Sequence, residues 1–482
     1  MTFGLTAILV FGLAAIAYAA WLPARWRGWA LLVASLAAVY WLQPPLAPRY
    51  ADFGLPTAAI GLATAGWWLT RRPEDPAQQA TTSSDRRTLA LAAGVVAAMS
   101  LFRYLAPAWR LTASRPPPVG YVVLALAAGG GLLFLLGRLG RRRAALALLL
   151  ALALLFVLLK SPPLAAAAAG LWRNLSGQDV SLAAPADLAW IGYSFLSFRL
   201  IHTLRDRQLG LLPALSLREY LTYALFFPAY TAGPIDRAER FVQDYRALPA
   251  LEGLDAGRWA GGLAWIGLGL LKKFVLADFL AQGLALTPAN AAQTEAAGWL
   301  WLLLYGYAWR LYFDFAGYSD IAIGLGILYG VRLPENFHFP YLAPNLTSFW
   351  QRWHITLSDW ARFYVFTPLS RELLRRRPRP PAVLAVFLAQ ATTMSLIGLW
   401  HGITWNFAVW GLWHAVGLFA HKLWSDRTRH WQRQLGRRPG RKRLWTAFGR
   451  AATFHYVALG WVWFALPDLG LALDVYAKLL GL

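Results

Sequence analysis

The chain has no cysteine and only 3 methionines among its 482 residues. Without a thiol there can be no disulfide, iron–sulfur cluster, zinc–thiolate site or cysteine nucleophile. Charge is scarce too: 14% of residues are Asp, Glu, Lys or Arg, where an ordinary soluble domain carries about 25%. Acids are scarcer still, at 23 against 46 Lys and Arg. No G-x-S-x-G elbow, P-loop or H-E-x-x-H pair occurs anywhere, which removes three common routes to catalysis. Internal repetition is also missing. The single echo, GLWH at 398–401 and again at 411–414, is too short to be one of the paired halves on which many transporters are built.

What fills the chain instead is apolar: 58% of residues are hydrophobic and the mean hydropathy is +0.43. Apolar runs of roughly 18–20 residues recur, each long enough to cross a ~30 Å hydrocarbon layer as a helix. Bare backbone polar groups are not tolerated in lipid, so these runs must be helical. The expected fold is an all-α polytopic membrane protein with about 12–14 transmembrane and re-entrant helices. Expected spans include 186–204, 215–231, 297–315, 317–331, 382–400 and 403–423. The first run carries Ala17-Tyr18-Ala19, which mimics a cleavage site, but its positive residues Arg25 and Arg27 follow the apolar part. It therefore reads as an uncleaved span with its N-terminus outside.

The surplus of +23 charges lies in short runs between spans, at 23–27, 137–143, 371–380 and 425–443. That is positive-inside patterning beside an anionic leaflet, so the partner is membrane lipid and not nucleic acid. A polar segment, 71–87, reads as an exposed loop. The chain divides into Leu/Ala-rich peripheral helices at 1–180, a chemically active core at 185–425, and a basic loop with C-terminal helices at 426–482.

Polar residues inside apolar spans mark where to look for function. In "FFPAYTAGPIDRAERF" (226–241), Pro228, Gly233 and Pro234 interrupt a helix just before Asp236, Arg237, Glu239 and Arg240. Such a stretch is either a helix end with interfacial charges or a re-entrant loop bordering a cavity. Asp314 and Asp320 are six residues apart and lie on different helix faces, so they do not form one paired-carboxylate site. Arg310 and Arg352 are their expected partners. The stretch 345–369 is amphipathic, with Arg352, His354, Asp359 and Arg362 among Trp350, Trp353 and Trp360. It either lies flat at an interface or dips inward to deliver His354.

The segment 397–419, "IGLWHGITWNFAVWGLWHAVGLF", holds two histidines and no charged residue. His401 and His414 are about 220° apart on a continuous helix and cannot share a face. His414 and His421 do share one, running toward the basic loop, and read as interhelical polar glue or interfacial histidines. His401 precedes Gly402, which permits close approach, and is bracketed by Trp400 and Trp405, which would exclude solvent. Its bland reading is a satisfied interhelical hydrogen bond. Its chemical reading is a general base, since imidazole exchanges a proton near neutral pH.

The motifs GPIDR (233–237), YFDFAGYSDIAIGLG (312–326), PENFHFPY (334–341), FWQRWHITLSDW (349–360) and GLWHGITW (398–405) followed by GLWH (411–414) come in one order over roughly 190–425. In this the chain resembles the membrane-bound O-acyltransferase family, notably its bacterial branch that acts on alginate and lipoteichoic acid. It departs from the family's pattern at His338, where Asn is common, and at Phe363, where Asp is. The resemblance implies a ring of helices around a central tunnel, in the bacterial cytoplasmic (inner) membrane.

It also implies transfer of an acyl group from a cytoplasmic thioester to a hydroxyl on the outer side, with His401 as catalytic base and His354 as the second site histidine. Trp400, Trp405, Asn406, Arg352, Trp353, Asp314 and Ser348 would line the substrate path. No metal and no tightly bound cofactor is expected. The donor is acetyl-coenzyme A or an acyl- or D-alanyl-carrier protein, the acceptor a polysaccharide or cell-envelope polymer, and an extracytoplasmic partner transferase can complete the pathway. With no cysteine, direct transfer is favoured over an acyl-enzyme, and Asn406, Ser348 and Trp N–H groups are the available oxyanion donors. A proton-coupled transporter using His401 with Asp314 and Asp320 and a non-catalytic membrane scaffold are the alternatives.

Overall fold

A computed structural model describes residues 4–71, 82–105, 110–378 and 380–482. Every regular element among them is helical, from Leu5–Ala20 to Leu469–Leu480, and none is a strand. Among the described residues five helices are long and apolar enough to cross a bilayer: Ser83–Leu105, Val119–Arg138, Arg141–Lys160, Ala297–Leu328 and Ala382–His401. The chain is thus an all-α, multi-pass membrane protein.

Several expected boundaries move, each for a visible reason. The spans 297–315 and 317–331 are one continuous 32-residue helix, Ala297–Leu328, because Gly317 is tolerated inside it. The expected span 215–231 is instead a short helix, Leu217–Leu225, followed by a 3-10 turn, Phe227–Ala229, since Pro228 removes a backbone donor. The span at 186–204 begins later, at Tyr193, after a 3-10 turn over Pro185–Leu188. The expected loop at 71–87 falls largely on 72–81, outside the described residues, but Ser83 already starts a helix. There Asp85 and Thr82 cap each other's backbone, with Asp85 N donating to Thr82 Oγ1 at 3.0 Å and Thr82 N to Asp85 Oδ2 at 3.1 Å.

The chain forms two compact units, with divisions inside Ala256–Leu270 and Ala297–Leu328. The first comprises Met1–Ile266 and Ala322–Pro334. On its outside, Val119–Arg138 has Val122 as its one buried residue and exposes Tyr121, Val123 and Leu124, as a lipid-facing helix should. Inside, buried polar side chains satisfy the carbonyls left open where helices stop. Arg199, 1% exposed, donates to the carbonyls of Ala224 (2.9 Å) and Ala229 (2.9 Å), closing the end of Leu217–Leu225. Gln43 likewise donates to Ala189 O at 2.8 Å and accepts from Ile191 N at 3.1 Å.

The second unit comprises Gly267–Ile321 and Glu335–Leu482. Its centre is the antiparallel pair Ala382–His401 and Trp405–Arg427. These helices touch backbone to backbone because two glycines face each other. A Cβ on Gly411 would sit 2.6 Å from Met394 O, and one on Gly398 would run into Phe407 O. This is the small-residue packing on which helix pairs in lipid depend.

Candidate functional site

His401 is the last residue of its helix, and Gly402 continues in an extended conformation, as does Thr404 just before Trp405–Arg427 begins. The contact at Gly398, within one turn of His401, holds this end of the helix against Trp405–Arg427. Aromatic rings surround the imidazole: Phe464 at 4.7 Å, Trp400 at 4.5 Å, Trp410 at 5.6 Å and Phe407 at 5.8 Å between centroids. Phe407 fills the room beside Gly402. The expected bracket is thus half right. Trp400 is against His401, but Trp405 is turned outward and 76% exposed; Trp410 and Phe464 supply the other wall. Trp410 is 1% exposed and its Nε1–H is buried without an acceptor among the described residues.

His354 lies against the same indole, with its ring 5.9 Å from Trp400 and 4.6 Å from Phe315. The amphipathic stretch 345–369 is broken at this residue. His354 has φ 43, a left-handed conformation that costs a non-glycine residue about 1–2 kcal/mol. It separates Leu346–Trp350 from Ile355–Ala361.

Asn336 holds the bend in place. Its carbonyl accepts from Ile355 N at 2.9 Å. Its Oδ1 accepts from Thr356 Oγ1 at 2.8 Å and Thr356 N at 3.3 Å, and its Nδ2 donates to Ser319 Oγ at 3.3 Å. A backbone N–H can only donate, so the atom facing Thr356 is the amide oxygen. His354 Nδ1, 3.1 Å from that oxygen, must then carry the proton. This leaves Nε2 as the basic nitrogen, and it is buried with no hydrogen-bond partner among the described residues. An uncommitted basic nitrogen in a dry site can accept a proton from a substrate group.

The remaining expected site residues are placed as follows. Trp353 is buried, stacked on Phe349 (5.6 Å), tilted against Trp461 (5.1 Å) and edge-on to Phe337 (5.1 Å). Arg352 gives its backbone carbonyl to His338 N at 3.0 Å. Ser348 N donates to Asn345 Oδ1 at 2.8 Å as a helix cap. Asn406 donates through Nδ2 to Leu466 O at 2.5 Å, which pins the end of Pro439–Ala465.

The two aspartates are paired, as anticipated, but not to arginine. Lys272 reaches Asp320 at 2.6 Å and Lys273 pairs with Asp314. Both lysines lie in a π-helical stretch, Leu271–Ala277. Gly269, where a Cβ would meet Gly317 O, lets the two backbones come close enough for these pairs. His421 does make a polar contact, to Thr347 Oγ1 at 2.9 Å. His414 does not act as glue: among the described residues neither ring nitrogen has a hydrogen-bond partner, and it sits between Phe349, Trp350 and Trp410.

In the first unit the charged residues after Gly233 and Pro234 meet two partners that the sequence did not single out, His202 and Asp206. His202 Nε2 accepts from Ala238 N at 3.0 Å, and its Nδ1–H faces Asp206 Oδ2 at 3.2 Å. Arg237 bridges Asp206 (3.1 Å) and Glu239 (2.6 Å), while Asp236 is clasped by Arg240. His202, Asp206 and Glu239 are close enough to suggest metal ligation. However, both imidazole nitrogens are already committed and Arg237 pairs with one oxygen of each carboxylate, so an ion would have to displace these protein contacts. The set locks the GPIDR loop. The signal was present as His, Arg and Asp within the otherwise apolar "RLIHTLRDR".

A family model described as membrane-bound O-acyltransferase matches residues 169–457. The chain is similar to the teichoic acid D-alanyltransferase of Streptococcus thermophilus, 34% identical over 293 residues, which is 58% of this chain and 70% of that relative. It is 34% identical over 270 residues to the peptidoglycan O-acetyltransferase of Helicobacter pylori, covering 55% of this chain and 48% of the relative. It is 34% identical over 287 residues to the probable alginate O-acetylase of Pseudomonas aeruginosa, covering 59% and 50%. The match spans about half the length of these last two proteins. With the matched residues containing His354, Trp400 and His401, this chain belongs to the membrane-bound O-acyltransferase family and is an acyltransferase of the membrane.

Proposed function

We propose that the protein moves an acyl group, acetyl or D-alanyl, from a thioester on the cytoplasmic side of the bacterial inner membrane to a hydroxyl of an extracytoplasmic envelope polymer. The donor is coenzyme A or a carrier protein, and residues 185–425 form the catalytic core. The observation that carries this reading is the Trp400 indole shared by two imidazoles, His401 and His354. His401 takes the proton of the acceptor hydroxyl as its oxygen attacks the thioester carbonyl. The tetrahedral intermediate then expels the thiolate, which takes up the proton, leaving an ester and a free thiol. General base assistance contributes about 10²–10⁴-fold. Trp410, whose N–H lacks an acceptor among the described residues, is the best-placed donor to the oxyanion, a contact worth about 10²–10³-fold. Asn406 is a weaker choice because its amide is engaged by Leu466.

His401→Ala tests the proposal. Mass spectrometry of envelope polymers should show ester content falling to the level of cells lacking the protein, with membrane insertion and yield unchanged. Full acylation by that variant overturns the base assignment. Proton-driven uptake of a solute without acyl turnover would replace the enzyme reading with a transporter.

A further inference from the structure

The helix Arg429–Gly436 and the start of Pro439–Ala465 enclose a cleft of about 810 Å³, lined among others by Trp431, Arg437, Arg438, Arg441, Leu444 and Trp445. Its aromatic floor is a ring cluster: Trp431 meets Trp445 at 5.0 Å edge-on, and Trp424 stacks on Trp445 at 6.3 Å. Phe448 continues the cluster at 5.4 Å from Trp445. Soluble surfaces rarely leave such groups in water, yet Leu444 is 74% exposed and Phe448 61%. Between Arg433 and Arg443 the chain carries six basic residues and no acid. The neighbouring acid, Asp426, is taken by Lys422 and Arg429 at 2.6 Å each, and these hydrogen bonds hold its carboxyl below the usual carboxylate range. Among the described residues no carboxylate forms an ion pair with Arg437, Arg438 or Arg441.

Guanidinium groups match phosphate oxygens in pairs, and indoles settle at the headgroup level of a bilayer. A soluble phosphate would engage the arginines but leave Leu444 and Phe448 in water. A phospholipid of net negative charge satisfies both halves. We propose that this cleft is a binding site for an acidic phospholipid, its phosphate among Arg437, Arg438 and Arg441 and an acyl chain along Leu444 and Phe448. The assignment is independent of the acyl-transfer reading.

The test is native mass spectrometry of the full-length protein, purified in detergent and titrated with phosphatidylglycerol or phosphatidylcholine. Wild type should retain phosphatidylglycerol in preference. The triple variant Arg437→Gln/Arg438→Gln/Arg441→Gln should lose about 100-fold in affinity for it, as three basic groups at an anionic surface imply. Leu444→Ser/Phe448→Ser should weaken lipid retention while leaving circular dichroism unchanged. Equal retention of the two lipids, or undiminished phosphatidylglycerol binding by the triple variant, overturns the site. Displacement of the lipid by coenzyme A or inorganic phosphate also overturns it and reassigns the arginines to a soluble anion.

Discussion

Replacing Asn336 with alanine isolates the device that sets the His354 tautomer. The substitution deletes an acceptor that faces His354 Nδ1 at 3.1 Å, Thr356 Oγ1 at 2.8 Å and Thr356 N at 3.3 Å. All three residues are buried, Asn336 to 1% and His354 to 3%, so water does not reach the donors left behind. The threonine hydroxyl can rotate, but the imidazole N–H and the backbone N–H cannot turn away. At about 1–3 kcal/mol for each of these two donors the variant should lose roughly 2–6 kcal/mol. Part of that is relieved if His354 abandons its left-handed conformation, which would displace the ring and cost about 10²-fold in rate.

Thermal unfolding in detergent measures the first effect and polymer ester content the second. The decisive assay is a double-variant cycle with His354→Ala. If Asn336 acts through the imidazole, adding Asn336→Ala to that background costs little more activity, whereas independent sites multiply. An Asn336→Ala protein as stable and active as wild type, or a fully multiplicative cycle, refutes the argument.

Two further predictions concern packing and charge. Lys272→Ala leaves the Asp320 carboxylate, its side chain 8% exposed, without its cation, and should destabilise by about 3–5 kcal/mol. Lys272→Met/Asp320→Asn should recover most of that loss in the same melting assay, and no recovery would show that the pair is not the stabilising unit. Gly411→Ala forces a methyl group to 2.6 Å from Met394 O and 2.9 Å from Ser395 Cα, an overpacking of about 1–3 kcal/mol. It should reduce acyl transfer as the hairpin opens, while Gly12→Ala, with nothing within 4 Å, should behave as wild type.

Much of this was legible in the residues. Hydrophobic run length gave the helical class, and "GLWHGITW" singled out His401, because a charge-free apolar run makes an imidazole conspicuous. The fates of Trp405 and Trp410 were not readable. Both flank His401 in sequence, but which indole turns inward depends on where Trp405–Arg427 starts after Gly402 and on Phe464, 63 positions away in the chain. The partners of Asp314 and Asp320 were missed for a similar reason. Arg310 is one helical turn from Asp314, whereas Lys272 and Lys273 come from a distant segment, and long-range pairing leaves no local pattern. The break at His354 was hidden because nothing in "QRWHITL" is a helix breaker. A side chain on another segment, Asn336, imposes it.

The widened turn at Leu271–Ala277 behaves like a single inserted residue held within an otherwise ordinary helix. Deleting one residue there would let the segment relax to a standard spiral, yet everything before or after the cut would swing by about 100°. The two ammonium groups would then aim past their carboxylates. Segment length, counted in residues, is therefore as strict a requirement for holding charge in this part of the bilayer as the identity of the charged residues.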